Sequence, residues 1–154
     1  MLAWEPMTTA AGSQPPFDAH RTEIVVTEEH IDELRHVNNV QWVRWVIDIA
    51  VAHSAAVGLD IATYLAMGVV WVVRRQEIDY LAPAKRGEKL IALTWVASYG
   101  QRSSVRKSLF LRAGDQKPLL QAATTWVMVD MQGRPALVPK GVVEKLAPAR
   151  DAAI

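Results

Sequence analysis

An antiparallel α+β architecture, with about five strands curved around one long central helix, is what this sequence predicts. Two features carry that expectation. Val40 to Val57 is a long apolar run with helical spacing. Four β-rich segments then follow with only short turns between them, which suits hairpin connections and not the helical crossovers a parallel sheet requires.

In chain order, Phe17 to Thr27 reads as the first strand, with Ile24, Val25 and Val26 as its β-branched centre. A polar turn, Glu28 to His36, leads to a helix over Asn38 to Val57. Along it Val43, Val46, Ile47, Ala50, Val51, Ser54 and Val57 recur at helical spacing, and Trp42, Trp45 and Ile49 form a second apolar flank. Only a narrow polar stripe remains at Gln41, Arg44 and Asp48, so this rod of roughly 30 Å is expected to be buried on most sides. Gly58 is placed to end it.

Asp60 to Met67 is a short helix or loop, followed by a strand from Val69 to Tyr80 that Pro83 stops. The next strands are Lys89 to Tyr99, broken by Gly100, and Arg102 to Ala113, whose two alternating faces are Val105, Lys107, Leu109, Leu111 and Arg106, Ser108, Phe110, Arg112. Gly114-Asp115 turns the chain into the last strand, Leu119 to Met131, closed by Gln132 to Pro135. Pro139 to Leu146 is expected to form a helical turn and then fray. Residues 1–16, ending in Pro15-Pro16, read as a flexible leader, 17–146 as one domain and 147–154 as a tail.

Composition narrows the function classes. The chain has 154 residues, 51% hydrophobic and 21% charged, with a net charge of +1. That is a globular profile with no global field for nucleic acid or an anionic membrane surface. Cysteine is absent, which removes thiol nucleophiles and thiolate metal sites and suits a cytoplasmic location. No apolar stretch is long enough to predict a membrane span, and the leader lacks the pattern of a signal peptide. Six tryptophans in a chain this size exceed what one helix and a few strands readily cover, so a homodimer or homotetramer is expected.

Chemistry-bearing side chains concentrate between Asp32 and Asn39. Asp32, His36, Asn38 and Asn39 sit where the polar turn meets the helix, and the first-turn amides of a helix favour developing negative charge. Simple N-capping by Asn38 or Asn39 is the alternative role. No Gly-x-Ser-x-Gly nucleophile elbow is present. His30, Asp32, Glu33 and His36 lack the spacing of a helical zinc motif, so no metal is expected. His53 reads as a packed or interface histidine and His20 as a strand surface residue.

The stretch Asp32-Glu-Leu-Arg-His-Val-Asn-Asn39, followed by Trp42 and Trp45, resembles the hotdog-fold thioesterases, in particular their 4-hydroxybenzoyl-CoA thioesterase-like and acyl-ACP thioesterase branches. Arg74 to Pro83 with Gly87, and Trp126 to Asp130 before a Gly-Arg-Pro turn, extend the likeness over about residues 20 to 140. It implies a long helix wrapped by a curved antiparallel sheet, protomers paired through continued sheets, and active sites at the dimer interface. It also implies Asp32 as base or nucleophile and the Asn39 amide as the group polarising a thioester carbonyl, with Asn38 and His36 capping and orienting.

There are departures. Arg35 stands where Gly commonly precedes the His, Leu34 replaces an Asn of the plant acyl-ACP branch, Trp42 replaces the usual Tyr, and that branch's second-strand glutamate has no counterpart near Val70 to Val72. The implied activity is hydrolysis of an acyl-CoA, or an acyl-ACP, without a cofactor. A non-catalytic acyl-thioester binding module is the alternative, and a hotdog dehydratase a weaker one. Trp42 would line the acyl site. Lys85 and Arg86, with Arg102, Ser103, Ser104 and Arg106, would meet the coenzyme A phosphates, for which basic side chains and glycine-flanked backbone are suited.

Overall fold

The computed structural model describes residues 15–148. Most of the expected leader and tail, residues 1–14 and 149–154, lies outside that span. Five antiparallel strands, β1 (His20–Val25), β2 (Val69–Tyr80), β3 (Lys89–Tyr99), β4 (Ser103–Arg112) and β5 (Pro118–Asp130), form one sheet in the order β1-β3-β4-β5-β2. Helix α1 (Asn39–Ala56) lies against it, with α2 (Ile61–Met67) before β2 and α3 (Lys140–Lys145) after β5.

The long helix begins and ends where its caps dictate. The Asn38 side chain accepts from the Val40 amide, and Gly58, at φ +85, turns the chain out of the last turn. Asp60 caps α2 in the same way, and Gly68 closes it in a left-handed conformation. β2 and β3 match their expected bounds, while β1 is shorter, because Val26 leaves the ladder to bond Glu88 across the next turn.

Two expectations are corrected. Helix α1 is not buried on most sides. Trp42, Trp45, Val46, Ile49, Ala50 and Ser54 face the sheet, whereas Val40 and Val51 are 66% and 47% exposed. The sheet curves over one side of the rod only, and the tryptophan flank, not Val43, Ile47 and Val51, is the side it covers. The segment after Pro139 does not fray at Leu146: Val142 and Leu146 are buried against Leu59, Tyr64 and Met128.

The core has two halves. Around the first half of α1, Trp42 and Trp45 pack with Leu90, Phe110, Leu119 and Leu120. Around its far half, Leu59, Tyr64, Val96, Met128, Val142 and Leu146 form a second cluster. Between them the helix-facing side of the central strands turns polar, with Thr94, Ser104, Arg106, Ser108 and Thr124 all buried. Trp42, Trp45 and Trp95 are covered within a single protomer, so those three need no partner to hide them.

Candidate active site and a cavity beside the central helix

The chain between β1 and α1 folds back as a tight hairpin. Ile31 bridges Val37, the Asp32 amide donates to the His36 carbonyl at 2.9 Å, and the Arg35 amide donates to the Asp32 carbonyl at 3.0 Å. Asp32 Oδ1 accepts from the Leu34 amide at 2.8 Å, the local turn an aspartate side chain favours. Arg35 completes the reversal at φ +62, a left-handed conformation costly for a residue with a Cβ. Its guanidinium forks onto both oxygens of Glu28, at 2.7 and 3.0 Å. The departure from glycine at this position therefore keeps glycine's backbone conformation, with an ion pair holding the turn.

At the hairpin's exit Asn38 Oδ1 accepts from the Val40 amide at 2.8 Å. The Gln41 and Trp42 amides donate to the Asn38 carbonyl. The Asn39 amide has no acceptor among the described residues, so it stands open at the positive end of an 18-residue helix. Tyr80 at the end of β2 reaches the Asn39 carbonyl at 3.5 Å. His30 is structural: its Nδ1 accepts from the Thr27 amide at 3.0 Å, and its ring lies edge-on to Trp45.

The expected site residues fall into two groups. Asp32, His36, Asn38 and Asn39 share the helix's amino end with Lys85 and Arg86, whose turn is tied to the hairpin by the Val37 amide on Ala84 and by Arg86 on Glu28 at 3.3 Å. The hydrogen bond from Arg35, with the charge of Arg86, holds the Glu28 carboxyl below the usual carboxylate range. Arg102 and Ser103 lie at the other end of β4, about 30 Å away along the strand. Trp42 is 3% exposed, edge-on to both Trp45 and Phe110 in the core.

Ser104 and Arg106 point inward. β4 is a central strand between β3 and β5, and its alternation turns Ser104, Arg106 and Ser108 toward α1 and away from solvent. Arg106 Nη1 donates to His53 Nδ1 at 2.9 Å and to Thr94 Oγ1 at 3.2 Å. Thr94 in turn accepts from Ser108 and donates to the Lys107 carbonyl at 3.0 Å. His20, expected on the surface, is half-buried and stacks on His53 with ring centres 5.0 Å apart.

Ser104 and Arg106 border a cavity that opens to solvent, with about 630 Å³ of empty space when the open part is included. It is lined by Ala50, Val51 and Ser54 of α1, by Tyr64 and Trp71, and by Tyr99, Ser104, Arg106 and Trp126 of the sheet. Asp32 does not line it. The part played by His53, Thr94 and His20 around Arg106, and by Trp126 in the cavity wall, was not read from the sequence. Its one local signal is the polar residue at every second position from Ser104 to Ser108.

Burial, with the nearby charge of Arg106 and His20, pushes the His53 imidazole down to about 4. Its Nδ1 accepts a hydrogen bond from Arg106, and the ring is neutral near pH 7. Burial also lowers the Arg106 guanidinium to about 10 and raises the Tyr99 phenol to about 12. Because an unfolded histidine titrates near about 6.5, the unfolded chain binds more protons between that pH and about 4. Stability is thus full above the upper value and falls as pH drops through the window. His20, lowered first by burial and then by Arg106, adds with the same sign. His53→Gln keeps an acceptor for Arg106 and cannot take up a proton. Its denaturation midpoint is expected to fall less than the wild type's between pH 6.5 and 4.5; an unchanged slope would contradict the assignment.

A family model described as the thioesterase-like superfamily matches residues 25–146. A 1,4-dihydroxy-2-naphthoyl-CoA thioesterase from Synechocystis superposes with a TM-score of 0.77 at 16% identity, over 83% of this chain and 95% of that one. A hypothetical protein from Staphylococcus aureus, solved in complex with CoA, gives 0.79 at 12% identity over 89% and 86%. The 12:0-ACP thioesterase from Umbellularia californica gives 0.73 at 16% identity, over 82% of this chain and 52% of that one. At these identities the structural likeness is one of fold.

Proposed function

This chain belongs to the thioesterase-like superfamily and has the hotdog fold, and from that premise we propose that it hydrolyses an acyl-CoA, with Asp32 as base or nucleophile. The observation that carries the proposal is that the hairpin holding Asp32 leads directly into the amino end of α1, where the Asn39 amide has no acceptor among the described residues. Hydrolysis needs an activated oxygen nucleophile and a stabiliser for the tetrahedral oxyanion. The leaving thiol, with a pKa near about 8.5, needs little help.

As a base, the Asp32 carboxylate takes a proton from water as the water oxygen adds to the carbonyl carbon. The C–S bond then breaks, the thiolate leaves and the carboxylic acid remains. As a nucleophile, the carboxylate itself displaces the thiolate, and water cleaves the resulting anhydride. In either route the Asn39 amide faces the developing oxyanion, a contribution of roughly 3 kcal/mol by analogy with other oxyanion donors. Asn38 holds that amide in place by capping the turn, and His36 fixes the hairpin through its carbonyl. No cofactor is required.

A homodimer fits the edges of the sheet. The β1 edge is short and carries the ion pairs of Glu23 with Arg21 and Lys89, a charged pattern that discourages pairing. The β2 edge is 12 residues long and exposes Val72 and Val73. Antiparallel pairing of two β2 strands about a two-fold axis would bring the Asp32 and Arg86 end of one protomer to the Arg102 and Ser103 end of the other. The two groups of expected coenzyme A contacts, separated within a chain, would then share one groove. No single helix among the described residues is long and apolar enough to cross a membrane, and the cytoplasm is the setting we propose.

Thiol release from a panel of aliphatic and aromatic acyl-CoAs tests the reading. Saturable release from at least one class is expected. Saturable binding with no release from any would assign instead the non-catalytic acyl-thioester module.

A further inference from the structure

Arg106 is a charged group in an unusual setting. It is 5% exposed, and none of its nitrogens meets a carboxylate among the described residues. One nitrogen, Nη1, serves both protein acceptors, His53 and Thr94; Nε and Nη2 donate to no group among the described residues. A buried guanidinium without an anion is costly to keep, and neighbouring His53, neutral or cationic but never anionic, cannot balance its charge. Across the strand pair from Arg106's neighbour Ser104 stands Trp126. Its indole Nε1 is buried and also unpartnered. Both side chains border the same cavity, whose remaining wall is largely apolar, with the hydroxyls of Ser54, Ser104, Tyr64 and Tyr99 among it.

Two donor groups with nitrogens that meet no protein acceptor among the described residues, one of them cationic, in a largely apolar chamber match an apolar body that carries a carboxylate. We propose that this cavity binds such a ligand, its carboxylate seated between Arg106 and the Trp126 indole and its hydrocarbon against the α1 side. The coenzyme A phosphates are a poorer match, since one enclosed cation among apolar walls leaves most of their charge uncompensated. The carboxylate could come from a free carboxylic acid or from the far end of a dicarboxylic acyl thioester. The chemistry at Arg106 is the same in both, and this inference does not depend on hydrolysis at Asp32.

Decanoate and decanamide, titrated against the full-length protein by calorimetry with tryptophan fluorescence as a second signal, compare the charged and neutral head groups on one chain. Decanoate is expected to bind saturably and at least about tenfold tighter than the amide, the ratio a charge-assisted hydrogen bond commonly gives. Arg106→Gln is expected to abolish the difference while leaving amide binding in place. Equal binding of acid and amide by the wild type, binding of neither, or a preference that survives Arg106→Gln would overturn the proposal. Should the variant not fold, the wild-type comparison decides alone. Thiol release from sebacoyl-CoA against decanoyl-CoA then separates the sources: a lower KM for sebacoyl-CoA, lost in the variant, assigns the carboxylate to the acyl group, and equal KM values beside tight decanoate binding assign it to a free acid. A protein that binds decanoate and turns over no thioester keeps this proposal and loses the hydrolase reading.

Discussion

Asp32→Asn is expected to reduce kcat for thioester hydrolysis by about 10²–10⁴-fold, the range for removing a positioned general base, while the protein stays folded. The substitution is unusually clean at this position. The Asp32 carboxylate is already half used by the fold, because Oδ1 accepts the Leu34 amide at 2.8 Å. An asparagine carbonyl oxygen can keep that bond, so the turn that aims the chain into α1 survives. What is lost is the ability to take a proton or attack a carbonyl, because the amide nitrogen offers neither a basic lone pair nor a negative charge. Glu33→Gln, at the exposed neighbouring position, changes the local charge equally and is expected to leave kcat within about twofold. Rates of each variant under saturating acyl-CoA, beside matching circular dichroism, make the comparison. A folded Asp32→Asn protein with the wild-type rate would remove this carboxylate from the chemistry.

The amino end of the helix was legible in the sequence because its determinants are local. Asn38 caps through its own side chain, Gly58 ends the helix through its own φ, and Asp32 forms its turn with a residue two positions on. Pro83 and Gly100 bounded β2 and β3 for the same reason. The side of α1 that the sheet covers was not legible, since Trp42, Trp45 and Ile49 and the flank of Val43, Ile47 and Val51 are both apolar at the same period. Periodicity gives the width of an apolar stripe and says nothing of what covers it. Arg106 was read as a phosphate contact because its inward partners come from elsewhere: Thr94 is 12 positions away and His53 is 53 positions away. Strand register, which sets Arg106 opposite Val96 and Thr124, and the seating of α1 on the sheet bring those groups together.

Trp42→Ala is expected to destabilise the fold by about 3–5 kcal/mol, the cost of emptying a large aromatic site in a core. That is a large share of the roughly 5–15 kcal/mol that holds a domain of this kind together. The indole is 3% exposed, with its ring 5.3 Å from Trp45 and 5.5 Å from Phe110, both edge-on. Phe110 is itself fully covered, so little nearby can collapse into the space. Trp42→Phe separates packing from substrate contact. It keeps an aromatic ring facing both neighbours with less volume, and about 1–2 kcal/mol of lost stability is expected with KM for acyl-CoA unchanged. A tryptophan that lined the acyl site would give the opposite split, with stability near the wild type's and KM raised several-fold. Urea unfolding and initial rates on the one variant decide between the roles. The second result would mean that the α1 face carrying Trp42 opens to substrate, and would draw the acyl site toward Asp32 along the first half of the helix.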